Sequence, residues 1–129
     1  MKTASMFSDV LSSVFRKPST QNYPAQQYAT PERLRGALNW DAEKCTGCGL
    51  CAMDCPAQAL DMIVIDRKAK RFVLRYYLDR CTFCAQCVYS CRQGCLDMSS
   101  TDWELAALDH DSYCLVYGTE DDIREALGE

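Results

Sequence analysis

The sequence predicts an α+β fold with two similar halves, and three observations support this prediction. The cysteine run C-x2-C-x2-C-x3-C at residues 45–55 returns 36 residues later, at residues 81–91. Apolar stretches at 62–65 and 72–78 predict two strands. An apolar stripe within residues 5–16 predicts a helix ahead of the cysteines. We also expect a short helix to follow the first three cysteines of each run and to carry the fourth.

The similarity between the halves extends beyond the cysteines. At an offset of 36 residues there are eight identities over residues 40–62, among them Leu60-Asp61-Met62 with Leu96-Asp97-Met98. Repeated halves predict a pseudo-two-fold domain. The charged stretch at 66–71 is expected to form a solvated turn between the two strands. Alternation on the second strand places on one side Phe72, Leu74, Tyr76 and Leu78.

Ten of the 129 residues are cysteines, and their spacing favours metal ligation over a disulfide scaffold. The stretch before the first run shows no secretory signal, because Ser8 and Asp9 interrupt its apolar residues. We therefore expect reduced, intracellular thiols. Three thiols within seven residues, with a fourth just beyond, suit the corners of a cubane iron–sulfur cluster. Two such runs predict two [4Fe–4S] clusters and one-electron transport.

In a chain with two such runs, the fourth cysteine of each is expected to ligate the other cluster. The predicted ligands of cluster one are Cys45, Cys48, Cys51 and Cys91. The predicted ligands of cluster two are Cys81, Cys84, Cys87 and Cys55. This exchange would tie the halves together, so that neither folds well without the cofactor. A zinc site is the alternative, but zinc favours separated C-x2-C pairs over runs of three.

Two residues beside the second run each have two interpretations. Phe83 either shields cluster two from water or packs in the core. Arg92 stands where the first run has Pro56. Its cation either lies near cluster one, where it would raise the reduction potential, or points to solvent.

Two cysteines and one histidine are left over. Cys95 aligns with Ala59 in the repeat, so we expect a buried small residue; a minority interpretation makes it a substitute ligand for Cys91. Cys114 is expected in a core or an interface. His110, the only histidine, is interpreted as a surface or capping residue. No catalytic residues are predicted, because the chain shows no paired catalytic carboxylates, nucleophile elbow or phosphate loop.

The segment at residues 1–36 is predicted to be a docking element. The apolar side of its helix would carry Met6, Phe7, Val10, Leu11, Val14 and Phe15, and Pro18 would end it. This side either docks on a partner subunit or a membrane surface, or folds back on its own domain. Residues 18–36 should be an extended arm, mobile or laid across another protein, with Arg33 and Arg35 able to anchor it by charge.

The cysteine domain is expected at residues 37–99 and an acidic tail at 100–129. Residues 97–129 carry a net charge of −9. Capping-box patterns at 101–104 and 119–122 predict two helix starts, and Gly128 suits a C-terminal cap. The apolar run at 113–117 is interpreted as a strand or a docking segment.

Overall charge and hydropathy argue against a nucleic-acid-binding protein and against a chain that spans a membrane. The net charge is −4, and no nucleic-acid-binding motif is present. No apolar run approaches the ~18 residues of a membrane span. Any membrane association would therefore run through a surface helix or a partner.

The chain resembles the two-cluster, ferredoxin-like iron–sulfur subunit of respiratory complex I and of the membrane-bound [NiFe] hydrogenases. The arm is similar in Phe15-Arg16-Lys17-Pro18, Tyr23-Pro24 and Arg33-Leu34-Arg35-Gly36, and the tail in Trp103-Glu104-Leu105-Ala106 and Leu115-Val116-Tyr117. The core is KCTGCGLCAMDCPAQAL followed by DRCTFCAQCVYSC. The doubled cysteine motif occurs in many ferredoxins, whereas the arm and tail narrow the choice.

The resemblance implies a duplicated bacterial ferredoxin-like domain with an N-terminal amphipathic helix and a C-terminal helical tail. It implies an electron-relay subunit, not an enzyme by itself, that contacts neighbouring iron–sulfur and catalytic subunits at the cytoplasmic face of the membrane. The short chain and the FCAQC phrase favour the energy-converting hydrogenase type. The alternatives are a subunit of NADH-quinone oxidoreductase itself, a free two-cluster ferredoxin, or a zinc-binding interaction module.

Overall fold

A computed structural model describes residues 5–26, 29–106 and 108–128. Parts of the predicted N-terminal segment (1–4, 27 and 28) and of the tail (107 and 129) lie outside the described residues. The helices are α1 (Ser5–Val14), α2 (Leu50–Met53), α3 (Gln86–Ser90) and α4 (Glu120–Leu127), with a 3-10 helix at His110–Tyr113. The strands are β1 (Leu38–Trp40), β2 (Leu60–Asp66), β3 (Arg71–Tyr77), β4 (Leu96–Met98) and β5 (Cys114–Tyr117). The predicted α+β class is confirmed.

The strands of the described residues form two antiparallel sheets. One pairs β1 with β4, and the other has the order β2-β3-β5. Each cross-strand pair of β1–β4 has an equivalent pair in β2–β3, with every residue 36 positions from its equivalent. The pair Leu38–Met98 corresponds to the pair Leu74–Met62. Likewise, Trp40–Leu96 corresponds to Tyr76–Leu60. The strand register therefore repeats with the same offset as the cysteines.

Strand β3 lies at the centre of the three-stranded sheet and is buried on both faces. Phe72, Leu74 and Tyr76 are buried, as the alternation predicts. Val73, on the opposite face, has no exposed surface (0%), because α4 and the chain leading into it cover that face. A Cβ on Gly118 would lie only 3.2 Å from Val73 Cγ2. A strand covered on both faces loses its polar alternation.

Helix α4 begins and ends where its caps predict. The Thr119 hydroxyl accepts a hydrogen bond from the backbone N–H of Asp122, and Gly128 takes the left-handed conformation at φ 76°. Arg71 on β3 fastens the helix to the sheet through ion pairs with the buried Asp122 (2.5 Å) and the exposed Glu125 (2.6 Å). Cys114 and its neighbours form β5, so the predicted apolar run is a strand of this sheet.

The helix predicted at 101–104 is wrong, because residues 102–106 are neither helical nor in a strand. The hydroxyl of Ser99 accepts the backbone N–H groups of Thr101 and Asp102. A serine that caps N–H groups two and three residues ahead stabilises a turn as well as a helix start. The segment then runs beside the N-terminal arm.

The arm lies against its own chain, whereas the sequence predicted an arm that is mobile or laid across another protein. Gly36 N–H donates to Ser99 O (2.8 Å) and Ala37 N–H to Asp102 O (2.7 Å), and these bonds continue the β1–β4 pairing. A Cβ on Gly36 would lie 2.3 Å from Asp102 O, so only glycine permits this approach. Further along, Tyr23 donates to Glu104 (2.6 Å).

The apolar stripe of α1 is exposed along its length, from Leu11 at 54% to Phe15 at 85%. Its six members are Met6, Phe7, Val10, Leu11, Val14 and Phe15, which are all exposed. No helix in the described part of the chain is long and apolar enough to cross a membrane.

Candidate metal centres

The first cavity is lined by cysteines from both runs. Three come from the loop that leads into α2 and from α2 itself, and the fourth comes from the chain after α3. They are Cys45, Cys48, Cys51 and Cys91, joined in the same wall by Cys95. The atom-free space in and at the mouth of this cavity, open solvent included, is about 280 Å³. The wall is completed by Thr46, Gly49, Leu50, Met62 and Gln93.

The second cavity has the reciprocal composition. Its cysteines are Cys81 and Cys84 from the loop before α3, Cys87 from α3 itself, and Cys55 from the chain after α2. The atom-free space, about 320 Å³, is close to that of the first cavity. Apolar and aromatic side chains of the two sheets form its inner wall: Leu38, Leu60, Tyr76 and Met98. The structure thus brings the eight cysteines together in the two crossed groups that their spacing predicts.

Three pairs of left-handed residues shape the cysteine loops. They lie 36 positions apart, as Gly47 with Phe83, Gly49 with Ala85 and Gln58 with Gly94. In each pair both members have φ between 49° and 76°, a conformation that costs a non-glycine residue about 1–2 kcal/mol. Such strain in both loops indicates that the backbone path around the cavities is constrained.

The short helices carry the third cysteine of each run, not the fourth as the sequence predicts. Left-handed Gly49 and Ala85 are the N-caps of α2 and α3, so Cys51 and Cys87 fall within these helices. The fourth cysteines lie where the helices have ended, and Cys91 has extended backbone at ψ 100°. This extended exit directs the chain toward the opposite cavity.

Backbone N–H groups donate to four of the sulfurs, again in matched positions. The donors two residues after the first cysteine are Gly47 and Phe83, each 3.4 Å from Sγ of Cys45 and Cys81. The donors four residues after the fourth cysteine are Ala59 to Cys55 (3.2 Å) and Cys95 to Cys91 (3.4 Å). Such bonds stabilise a thiolate over a thiol and raise the reduction potential of a cluster bound to it.

Burial raises the pKa of one thiol in each cavity. Desolvation raises the pKa of Cys51 and of Cys87 to about 11. Cys84 is exposed, and the backbone N–H of Gln86 helps to hold its pKa below the usual value. Since metals bind the thiolate, iron must displace protons from the buried pair.

These residues fit two cubane clusters. All ten cysteines, which lie in the described part of the chain, are free. Each cavity offers at least four soft sulfur donors, the donor set that [4Fe–4S] clusters take. The hydroxyl of Tyr76 is buried at the wall of the second cavity, near the sulfur of Cys81, and has no oxygen or nitrogen partner among the described residues. A buried hydroxyl normally has a partner, and a cluster beside it would provide one.

The remaining sequence candidates lie around these cavities. Phe83 is half-buried but does not line the second cavity, so it contributes its backbone N–H there and not a shield. Arg92 is exposed, and Gln93 lines the first cavity in its place. Cys114 is half-buried in β5. His110 is exposed, 3.5 Å from Asp79.

Arg35 contacts the second cysteine loop, a role that the sequence did not specify. Its guanidinium donates to the carbonyl oxygens of Cys84 (2.9 Å) and Phe83 (3.4 Å). The sequence predicted that Arg33 and Arg35 could anchor the arm by charge. The groups that accept hydrogen bonds from Arg35 are instead backbone carbonyls of the loop.

Comparison with known proteins identifies the segment that contains these cavities. Residues 44–95 match the 4Fe–4S dicluster domain. The prediction of two [4Fe–4S] clusters is thereby confirmed. Curated relatives also match part of the chain. NAD(P)H-quinone oxidoreductase subunit I from the chloroplast of Agrostis stolonifera is 35% identical over 72 residues, covering 56% of this chain and 38% of the relative.

The chain is also similar to a bacterial relative and to a solved structure. NADH-quinone oxidoreductase subunit I from Cytophaga hutchinsonii is 43% identical over 63 residues, covering 45% of this chain and 36% of the relative. The chain therefore spans little more than a third of the curated relatives it matches. A chain of the membrane-bound sulfane sulfur reductase, an archaeal respiratory membrane complex, superposes with a TM-score of 0.68 at 28% identity, over 97% of this chain and 68% of that one.

Tyr76→Phe is expected to lower the reduction potential of cluster two and to leave that of cluster one unchanged. The hydroxyl would stabilise the more negative, reduced cluster, and a bond of about 1 kcal/mol corresponds to roughly 40 mV for one electron. A redox titration followed by electron paramagnetic resonance measures both potentials. The control variant is Trp40→Phe. Trp40 lies 36 positions before Tyr76 and has a buried indole N–H without a partner among the described residues. An unchanged cluster-two potential in Tyr76→Phe would contradict this role.

Proposed function

We propose that the chain is an electron-relay subunit of a complex I-like, membrane-bound oxidoreductase. The observation that carries this proposal is the presence of two thiol-lined cavities in one small domain, each built from both cysteine runs. When bound, each [4Fe–4S] cluster accepts and releases one electron. Two such clusters in one domain can pass an electron from one to the other.

The ligands proposed for cluster one are Cys45, Cys48, Cys51 and Cys91, and those for cluster two are Cys81, Cys84, Cys87 and Cys55. The grouping of these side chains in the two cavities supports the assignment. Because each cluster would draw on both halves, losing one would loosen the loops of the other. The matched strand register, backbone conformations and N–H donors further support an origin by duplication of one half.

Exposed corners of the two cavities suggest where electrons enter and leave. Cys48 and Cys84 are exposed, whereas Cys45, Cys51 and Cys87 are buried. The helix that follows each exposed cysteine carries one large exposed apolar side chain: Met53 on α2 and Tyr89 on α3. We propose that a neighbouring iron–sulfur subunit covers these side chains where it approaches the exposed sulfurs.

The type of complex is proposed from the relatives. The curated relatives are named as subunits of quinone oxidoreductases, and the solved neighbour belongs to a sulfane sulfur reductase complex. The neighbour matches nearly the whole chain, arm and tail included, which favours a respiratory complex over a free ferredoxin. An energy-converting [NiFe] hydrogenase stays our narrower proposal, supported by the FCAQC motif at residues 83–87; NADH-quinone oxidoreductase itself is the alternative.

We further propose a peripheral position at the cytoplasmic face of the membrane. The exposed apolar side of α1 supports contact with a membrane surface or membrane subunit. In this proposal residues 1–36 dock, residues 37–99 hold the clusters and residues 100–129 pack on the core and a partner.

Metal analysis and co-purification together test this proposal. Material isolated anaerobically from its host should contain about eight iron and eight sulfide per chain, show paramagnetic signals after dithionite reduction, and bring large oxidoreductase subunits with it. A brown monomer without partners would indicate a free carrier. A colourless, zinc-loaded chain would contradict both.

A further inference from the structure

The first cavity contains five thiols, one more than a cubane cluster needs. The fifth is Cys95, which is 6% exposed and lines the cavity. Its Sγ lies 3.1 Å from Sγ of Cys91. At the matching place in the second cavity stands Ala59, also buried and also lining the wall.

The backbone around these two positions is equivalent, so that the side chain is the difference. Cys95 N–H donates to Cys91 Sγ, as Ala59 N–H donates to Cys55 Sγ, at 3.4 and 3.2 Å. Both residues directly precede a strand, β4 and β2 respectively. Cys95 therefore presents a sulfur where the second cavity has only a methyl group.

We propose that Cys95 is an alternative ligand of cluster one, able to take the iron that Cys91 holds. The proposal rests on the cluster assignment given under the proposed function. Because the two sulfurs are in contact, Cys95 reaches the iron of Cys91 without any change in which cavity it faces. Cluster two has no such reserve, since Ala59 has no donor atom. Cluster one is accordingly the more tolerant of losing its fourth ligand.

The exchange of ligands needs no oxidant or reductant. The thiol proton of Cys95 passes to Sγ of Cys91, the iron–sulfur bond of Cys91 breaks, and a bond from the same iron to Cys95 forms. One thiol and one thiolate are present before and after, so charge and electrons balance. The short contact between the two sulfurs provides the proton's path.

Two equivalent variants of the full chain, Cys91→Ala and Cys55→Ala, test this inference. Each is reconstituted anaerobically with ferrous iron and sulfide. Cys91→Ala is expected to keep about eight iron per chain, because Cys95 substitutes. Cys55→Ala is expected to fall to about seven and to show the signal of an oxidised [3Fe–4S] cluster. The same loss in Cys91→Ala, or failure of that variant to fold where Cys55→Ala folds, would overturn the inference.

Three further variants make the outcome specific to Cys95. The double variant Cys91→Ala/Cys95→Ala should lose the iron that Cys91→Ala retains. Adding Ala59→Cys to Cys55→Ala should restore the missing iron, because it builds the same reserve in the second cavity. Cys95→Ala alone should keep both clusters, and loss of one there would make Cys95 the resident ligand and overturn the reserve role. An unmodified chain that fails to reach about eight iron would instead count against the proposed function.

Discussion

Gly47→Ala is expected to expel cluster one or to make its loss much faster. Gly47 has φ +64°, and a Cβ there would lie 2.3 Å from Cε1 of Phe72. The Phe72 ring is buried (3% exposed) and cannot move aside freely. Left-handed strain of about 1–2 kcal/mol and overpacking of about 1–3 kcal/mol therefore add together. The N–H that donates to Cys45 Sγ would move as well.

Gly49→Ala is the matched control. Gly49 has a similar φ, +76°, but a Cβ there would meet no described atom within 4 Å beyond its chain neighbours. Its equivalent, Ala85, already has a Cβ at φ 63°. We expect only the backbone cost there, so the rate at which the visible cluster absorbance bleaches in denaturant should rise far less than in Gly47→Ala. Equal rates in the two variants would mean that the contact with Phe72 is not what requires glycine.

The central features of both halves could be predicted because they depend on local spacing. Cysteines three residues apart must lie close together in the chain. Because the cysteines repeat at an offset of 36 residues, the strands beside them can be expected to repeat at the same offset. The strands around residues 66–71 and the caps Thr119 and Gly128 were predictable for the same reason. The crossed grouping in the cavities agrees with the predicted ligand sets, whose roles as ligands stay a prediction.

Features that depend on distant contacts could not be predicted. Val73 is buried only because α4 returns to cover it, and nothing in the local alternation indicates that helix. The 101–104 segment has the sequence of a capping box, yet the turn at Ser99 and the close approach of Gly36 leave it non-helical. The place of Cys95 was ambiguous for the same reason, since its alignment with Ala59 gives its burial but not its contact with Cys91.

Charging the apolar side of α1 is expected to detach the chain from its complex while leaving both clusters intact. In Val10→Asp/Phe15→Asp the two exposed apolar side chains, 60% and 85% exposed, are replaced by carboxylates. If a partner or membrane covers this side, each side chain contributes about 1.5–3 kcal/mol of burial. Losing both weakens association by roughly 100-fold or more. Co-purification with the large subunits, or sedimentation with membranes, measures the loss.

The polar side of the same helix provides the control. Ser12→Asp/Ser13→Asp adds the same two charges to α1, so it matches the net charge and much of the cost to the helix. Only the apolar side differs between the variants, and retained association in the control with loss in the test variant would identify that side as the docking surface. Because α1 lies outside both cavities, the paramagnetic signals should be the same in both. Retained association in both would mean that the tail or the cluster corners carry the docking.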